Sequence, residues 1–288
     1  MLIPVLEIGG THVSAAAVDT ETWAVTQQRR LAVDGAADAD LILASWADAA
    51  ASLDVPRGLV WGVAMPDPFD YANGIATFRD VGKFESLYGV DVGLGLRERL
   101  PQRPSGVVFV NDADAFVLGE WTSGAAAGYR RCVGITLGTG LGTGWIVDGQ
   151  VTTAEPGVPE LGRARTLSVD GEGLEEIVST RGIRRAFVSR GGDPGLNVLP
   201  ITELARHGDD TAMAAIEAVF DALGRGIGPS LRAFRADVVV LGGSIAQSWD
   251  LMEPAFRSGL DWPDAPPVLP AAHPDDAALR GAARYVVG

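Results

Sequence analysis

The chain of 288 residues is 47% hydrophobic and sets 23 Lys plus Arg against 37 Asp plus Glu, a formal net charge of −14. That length suits one large or two modest α/β domains, and the acidity argues against nucleic acid as a partner, because an acidic surface repels a phosphate backbone. No run approaches the ~18 apolar residues of a membrane span and no basic segment opens the chain, which leads us to expect a cytoplasmic protein; one cysteine (Cys132) and three histidines (His12, His207, His273) allow neither an intrachain disulfide nor an ordinary structural zinc site.

Leu2–Ile8 reads as a strand, followed by Gly9-Gly10-Thr11 and a second strand, Val13–Val18, ending at Asp19. Trp23–Val33 alternates in part with period two and reads as a third strand. Asp40–Leu53 has the pattern of an alanine-rich amphipathic helix, and the apolar run Gly58–Met65 that of a buried strand. From Pro66 to Tyr88 the pattern dissolves into Pro, Gly, Asp and aromatic residues, which predicts a long functional loop. Val90–Leu100 reads as a helix and Gly106–Val110 as a short buried strand; Asn111-Asp112 then opens a helix to about Trp121. Cys132–Thr136 and Thr143–Val147 read as strands around a glycine hairpin. Helical patterns follow at Gly173–Val188, with a break near Gly182, and at Asp209–Phe234. Val238–Leu241 is a short apolar strand leading through Gly242-Gly243 into another helix. Pro263–Pro274 is a proline-rich loop, and Asp275–Val286 an amphipathic closing helix. Strands and helices alternate and then repeat, the pattern of α/β sheets covered by helices. A weak internal echo joins Leu6–Asp19 to Ile135–Gly149: strand, Gly/Thr hairpin, strand, Asp.

Glycine hairpins suit phosphates because the backbone approaches closely and presents N–H donors, though each is equally an ordinary turn. The first is Gly9-Gly10-Thr11, preceded by Glu7, whose carboxylate suits Mg2+ held through water. The second runs Gly138-Thr139-Gly140-Leu141-Gly142-Thr143-Gly144. A Walker loop is excluded, because the sole lysine lies in Gly82-Lys83-Phe84; the dinucleotide fingerprint fails at Thr143, the sixth position from Gly138. Lys83 itself reads as a solvated surface charge or a ligand contact. Asp112, at a strand-to-helix junction, suits either a helix cap or a general base that accepts a proton from a hydroxyl. Gly242-Gly243-Ser244 suits a helix N-terminus that takes an anion or packs on a flat base, or a plain tight turn.

These pieces, in this order and over nearly the whole chain, resemble the ROK family of bacterial sugar kinases and sugar-responsive repressors, within the actin-like ATPase and sugar-kinase superfamily. "LEIGGTHVSAAAVD" (Leu6–Asp19) is similar to the first phosphate motif and "LGTGLGTG" to the second. "VNDADAFVLGEW" (Val110–Trp121) is similar to the catalytic segment, "LGGSIA" (Leu241–Ala246) to the adenosine motif, "ALRGAA" (Ala278–Ala283) to the closing helix, and "GVAMPDPFDYANG" (Gly62–Gly74) to the segment with the first sugar-side loop. The resemblance implies an α/β fold of two RNase H-like (actin-like ATPase) domains with a ligand cleft between them. One would comprise residues 1–111 plus 275–288, with the first phosphate hairpin and the sugar-side loop. The other, residues 112–274, would carry the second hairpin and the adenosine motif.

It further implies ATP- and Mg2+-dependent phosphorylation of a hexose-like sugar, glucose-like sugars first and N-acetylated amino sugars next, with polyphosphate an alternative donor and a homodimer the common state. Asp112 would be the base. Asn111, Glu160 and Arg163 would bind sugar; Gly9, Gly10, Thr11, Gly138, Thr139, Gly140, Gly242 and Gly243 would bind nucleotide and phosphate; Glu7 would hold Mg2+ through water. Three departures stand out. Glu7 replaces the usual Asp. Arg163 replaces the histidine of the sugar-binding Glu-x-Gly-His element, offering a fixed cation for a negatively charged substituent or a partner for Glu160. The stretch Ser168–Gly182 has no cysteine, the mark of a zinc-free branch, so other packing must order the sugar loop. With the resembling core starting at residue 2, the repressors' helix-turn-helix is not expected. A decayed core acting as a sugar or nucleotide sensor is the competing expectation.

Overall fold

The sheet at the start of the chain is built on one strand that is apolar on both faces. β1 (Leu2–Ile8) turns Leu6 and Ile8 to one core and Ile3 and Val5 to another; a strand covered on both sides needs no polar alternation. A computed structural model describes all 288 residues and divides into two units: Met1–Gly124 with Asp275–Gly288, and Ala125–Pro274.

In the first unit β1 pairs antiparallel with β2 (His12–Asp19), which pairs antiparallel with β3 (Val25–Ala32). Helix α1 (Ala39–Ala51) leads to β4 (Val60–Met65), parallel to β1 on its other side. A two-residue hairpin, β5 (Phe69–Asp70) and β6 (Ile75–Ala76), precedes α2 (Val92–Arg99), then β7 (Gly106–Asn111), parallel to β4, and α3 (Asp112–Ser123). The sheet order is β3-β2-β1-β4-β7. The stretch expected to be a loop, Pro66–Tyr88, is anchored. Phe69, Phe78 and Phe84 are buried, and Phe84 packs edge-on against Trp46 and Phe78, each at 5.4 Å between centroids. Aromatic residues without periodicity here signal a core plug rather than a solvated segment.

The second unit repeats the plan. β8 (Arg131–Leu137) and β9 (Leu141–Val147) form a hairpin extended by β10 (Gln150–Val151). A small pair, β11 (Ser168–Val169) and β12 (Glu172–Gly173), leads into α4 (Leu174–Val178), α5 (Thr180–Val188), α6 (Val198–Arg206) and the 25-residue α7 (Asp210–Phe234). β13 (Val238–Gly242) runs parallel to β8; after a 3-10 turn come α8 (Trp249–Leu260) and the edge strand β14 (Val268–Pro270), parallel to β13. The order β10-β9-β8-β13-β14 matches the first sheet position by position, so the echo between the two glycine hairpins is the trace of one topology used twice. The closing helix α9 (Ala277–Val287) belongs to the first unit.

Four expectations shift. The domain boundary expected at residue 112 falls after Gly124, because α3 packs on α9 within the first unit. The break expected near Gly182 lies at Ser179, whose hydroxyl caps α5 by accepting the Gly182 amide at 3.3 Å. The helix expected directly after Gly243 is delayed to Trp249 by the 3-10 turn Ile245–Ser248. The proline-rich loop contains β14, whose Pro270 sits on a sheet edge where a missing N–H costs little.

The α3–α9 crossing is set by two glycines. A Cβ at Gly281 would lie 1.7 Å from the Ala115 carbonyl oxygen, and one at Gly119 would lie 1.9 Å from that of Ala277. Backbone cannot yield there as a flexible side chain would. Gly281→Ala should therefore lower stability by about 2 kcal/mol or more in chemical denaturation, against about 0.5 kcal/mol or less for Gly173→Ala, whose new methyl meets nothing. Equal, small losses would refute this account of the crossing.

Candidate active site

The parallel strands β1, β4 and β7 deliver their carboxyl ends to one edge of the first sheet. Glu7 stands opposite Ala64, Ala64 opposite Val110, and Met65 opposite Asn111. In open α/β sheets that edge is where ligands bind. Strand alternation also places Glu7, opposite Ser14, on the face covered by α3 and α9 rather than by α1. The first turns of those helices bring Asp112 and Asp276 toward it. Burial, then repulsion from Asp112, raises the Glu7 carboxyl to about 7; Arg30, opposite Ser14 on β3, pulls it back, and Asp276 adds to the rise.

Asn111, not Asp112, is the main cap of α3. Its Oδ1 accepts the amides of Ala113 at 3.0 Å and Asp114 at 3.3 Å. Asp112 Oδ1 accepts the Ala113 amide at 2.8 Å, and the residue stays half-buried. The buried Asn111 Nδ2 donates to the Tyr71 hydroxyl at 3.0 Å, and that hydroxyl lies 2.9 Å from Asp67 Oδ1 and 3.1 Å from the Met65 carbonyl oxygen. Burial and Asp67 hold the Tyr71 phenol well above its ordinary value, so it stays a protonated donor. Asn111, expected as a sugar ligand, thus has its oxygen committed to a helix and one hydrogen to Tyr71. Sequence reading does not single out Tyr71 and Asp67, although both lie in the Gly62–Gly74 segment; an Asp and a Tyr four residues apart in a Pro- and Gly-containing stretch give no periodic signal.

In the first glycine turn, the Gly9 amide donates to the His12 carbonyl at 2.8 Å. Its hydrogen closes the turn, so the Gly9 amide, expected among the phosphate donors, is spent within the protein. A Cβ at Gly9 would come within 2.8 Å of the His12 ring, which explains glycine there. The Thr11 carbonyl accepts the Val33 amide at 2.9 Å, tying the turn to the end of β3.

The second unit holds a matching assembly. Gly242 pairs with Thr136, so the Gly138–Gly140 turn and Gly242-Gly243 share one sheet end. Gly243 has φ +86°, and a Cβ there would lie 2.2 Å from the Leu137 carbonyl oxygen; only glycine meets both demands. The Gly138 amide donates to the Gly140 carbonyl at 3.1 Å, so, like Gly9, it closes its own turn. Thr180 clamps the turn from α5, its amide and hydroxyl each 3.0 Å from the Gly138 carbonyl oxygen.

Glu160 and Arg163 flank a 3-10 turn held by β9. Thr143 Oγ1 donates to the Gly162 carbonyl at 2.7 Å and accepts the Ala164 amide at 2.9 Å; the buried Trp145 indole donates to the same Gly162 carbonyl at 3.1 Å. Arg163 is 8% exposed and reaches the Thr143 carbonyl at 3.4 Å. Arg163, expected either to contact a negatively charged substituent or to partner Glu160, is buried in the unit, while Glu160 is exposed. Thr143, Trp145 and Arg163 supply the ordering for which the sequence offers no metal ligands. No cluster of three or more His, Cys, Asp or Glu could hold a metal ion, and no helix is long and apolar enough to cross a membrane. Around Glu7 the donors are all oxygen and carry like charge, which fits a hydrated divalent cation such as Mg2+ in place of a directly caged one.

The model of the ROK family matches residues 4–288. The chain is 30% identical over 216 residues to the glucokinase of Thermotoga maritima, covering 66% of this chain and 65% of that one. It is 27% identical to the N-acetyl-D-glucosamine kinase of Pectobacterium carotovorum over 96% of both. Among solved structures, the ROK family glucokinase of Streptomyces griseus, in complex with glucose and AMPPNP, superposes with a TM-score of 0.77 at 25% identity over 99% of both chains.

The raised Glu7 value has a thermodynamic consequence. The unfolded chain gives up this proton near 4.5 and the folded chain near 7, so folding loses stability as pH rises through that window and bears the whole penalty above it. Glu7→Gln has no charge to bury. In thermal unfolding without divalent cations, the variant should gain on the wild type between pH 4.5 and 7 and hold a constant lead above. A gap that ignores pH would contradict the placement of this carboxyl.

Proposed function

The chain belongs to the ROK family of sugar kinases, and from that premise we propose that it transfers the γ-phosphoryl group of ATP to a hydroxyl of a hexose-like sugar, with Asp112 as the general base. The observation that carries the reading is the placement of Asp112 beside Glu7 at the carboxyl ends of β1 and β7, where the first glycine turn begins. Asp112 takes the proton of the attacking hydroxyl; that oxygen bonds to the γ-phosphorus, and the bond from phosphorus to the leaving β-phosphate oxygen breaks, releasing ADP. The capping work is divided: Asn111 Oδ1 accepts two amides at the helix start, while Asp112 gives one carboxylate oxygen to the Ala113 amide.

The amides of Gly10 and Thr11 receive phosphate oxygens, as do those of Thr139 and Gly140, while Gly242-Gly243 lie against the nucleoside. Exposed Glu160 and the remaining Asn111 hydrogen hold ring hydroxyls, with Arg163 acting through the turn it braces. Bound near Glu7, Mg2+ would neutralise charge developing on the transferred phosphoryl group. The glucokinase complexed with glucose and AMPPNP supports a nucleotide triphosphate donor and a glucose-like acceptor; the relatives named for N-acetylglucosamine and, in Shewanella, N-acetylgalactosamine support amino sugars as the next candidates. A sensor without turnover has less support, since the relatives are named as kinases.

A panel of hexoses and N-acetylhexosamines with ATP and Mg2+, read by ADP release, tests the reading. At least one sugar should drive release, and Asp112→Asn should bind that sugar with little change while losing turnover by ~10² or more. Wild-type turnover in Asp112→Asn would remove this base. Separately, Thr143→Val deletes two hydrogen bonds of the Glu160–Ala164 turn and should raise the sugar KM more than it lowers kcat; an unchanged KM would disconnect that turn from the sugar.

A further inference from the structure

We infer that Lys83 is a phosphate-binding residue of the first glycine turn, a role that rests on the kinase reading above. It is the only lysine in the chain. Far from waving in solvent, its stem lies along the turn. Its Cδ is 3.3 Å from where a Gly10 Cβ would stand, and its Cβ is 3.4 Å from the corresponding point at Gly35. The Gly35 position itself is 3.1 Å from the Gly10 carbonyl oxygen, so the lysine stem, Gly35 and the turn form one packed layer. Glycine at 10 and 35 leaves the room in which that stem lies.

The backbone that presents the lysine is fixed on both sides. The Phe84 amide donates to the Gly35 carbonyl at 2.6 Å, and its ring is buried between Trp46 and Phe78. On the other side Gly82, at φ +72°, donates its amide to Glu85 Oε1 at 3.0 Å. The Lys83 ammonium itself makes no ion pair or hydrogen bond within the protein.

Charge explains what such a group is for. The site carries Glu7, Asp112 and Asp276, in a chain of net charge −14. A triphosphate approaching three carboxylates is repelled unless cations offset them. Arg30 faces Glu7 across β2, and Lys83 is the cation on the turn itself. A compact ammonium on a flexible four-carbon stem suits a phosphate oxygen as a point charge, the part that a Walker lysine plays on another fold.

The scarcity of lysine makes the test clean, because the other primary amine is the α-amine of Met1, 3.3 Å from Asp19 Oδ1. The full-length protein is treated with limiting acetylating reagent, with and without saturating ATP and Mg2+, and acetylation of each amine is read by peptide mass spectrometry. Nucleotide should slow acetylation of Lys83 by about tenfold relative to Met1. Lys83→Met, which keeps the packed stem, should weaken ATP binding by about tenfold at low salt and less at high salt, with unchanged melting temperature and unchanged sugar affinity. An unchanged Lys83 to Met1 ratio, or unchanged ATP affinity in Lys83→Met, would overturn the assignment even in a protein that releases ADP normally. Protection without ADP release from any sugar would instead keep the lysine contact and defeat the kinase reading.

Discussion

Parallel pairing of β1 with β4 and of β4 with β7 is the constraint from which the candidate active site follows. Register alone sets Glu7, Met65 and Asn111 at one sheet edge, and period-two alternation decides which face each side chain takes. A slip of one residue in β1 would turn Glu7 toward the α1 core and a leucine or isoleucine toward Asp112. The apolar residues on both faces of β1 therefore do more than stabilise the sheet: they hold the acidic residue in the position that makes it costly to ionise. The α3–α9 crossing, tightened by glycine against backbone carbonyls, fixes the other two carboxylates from the helix side.

The same strand order serves the second unit with different chemistry at the sheet edge. There Thr180 clamps the Gly138 carbonyl, Gly243 packs on Leu137, and the Glu175 carboxylate lies against Gly140, 2.8 Å from where a Cβ would stand. Each turn spends the amide of its first glycine on closing itself, Gly9 onto His12 and Gly138 onto Gly140. The repeated device closes each turn with its own backbone, the kind of fixed geometry that preorganised binding of the proposed phosphate would use.

Much of this was legible before any coordinates. The long strands, α1, α3, α7 and α9 follow from periodicity, and the order of glycine turns, Asn-Asp junction and Gly-Gly-Ser turn was enough to identify the family resemblance. Local chemistry was less legible. Asn111 and Asp112 are both fit to cap a helix, and only the geometry divides the task between them. The burial of Arg163 is not legible in sequence, because a buried arginine and an exposed one are spelled alike; its guanidinium reaches the carbonyl of Thr143, 20 residues earlier on β9. Helix α6 was missed because its first turn carries Pro200 and follows a Gly- and Pro-rich stretch. The Pro66–Tyr88 segment lacks period yet is anchored, since its three phenylalanines plug a core built by other elements.

On the proposed kinase reading, charge is the governing difficulty: Asp112, Glu7 and a triphosphate would have to share a small space without mutual repulsion defeating binding. The Glu7 carboxyl, held near 7 largely by burial and Asp112, registers that crowding in the free protein. The most direct test of the central claim is a crystal structure with a bound hexose and a non-hydrolysable ATP analogue, read for the contacts of one side chain. The account predicts an Asp112 carboxylate oxygen within about 3 Å of a sugar hydroxyl that itself points at the γ-phosphorus. A sugar hydroxyl aligned for attack with no contact to Asp112 would contradict it.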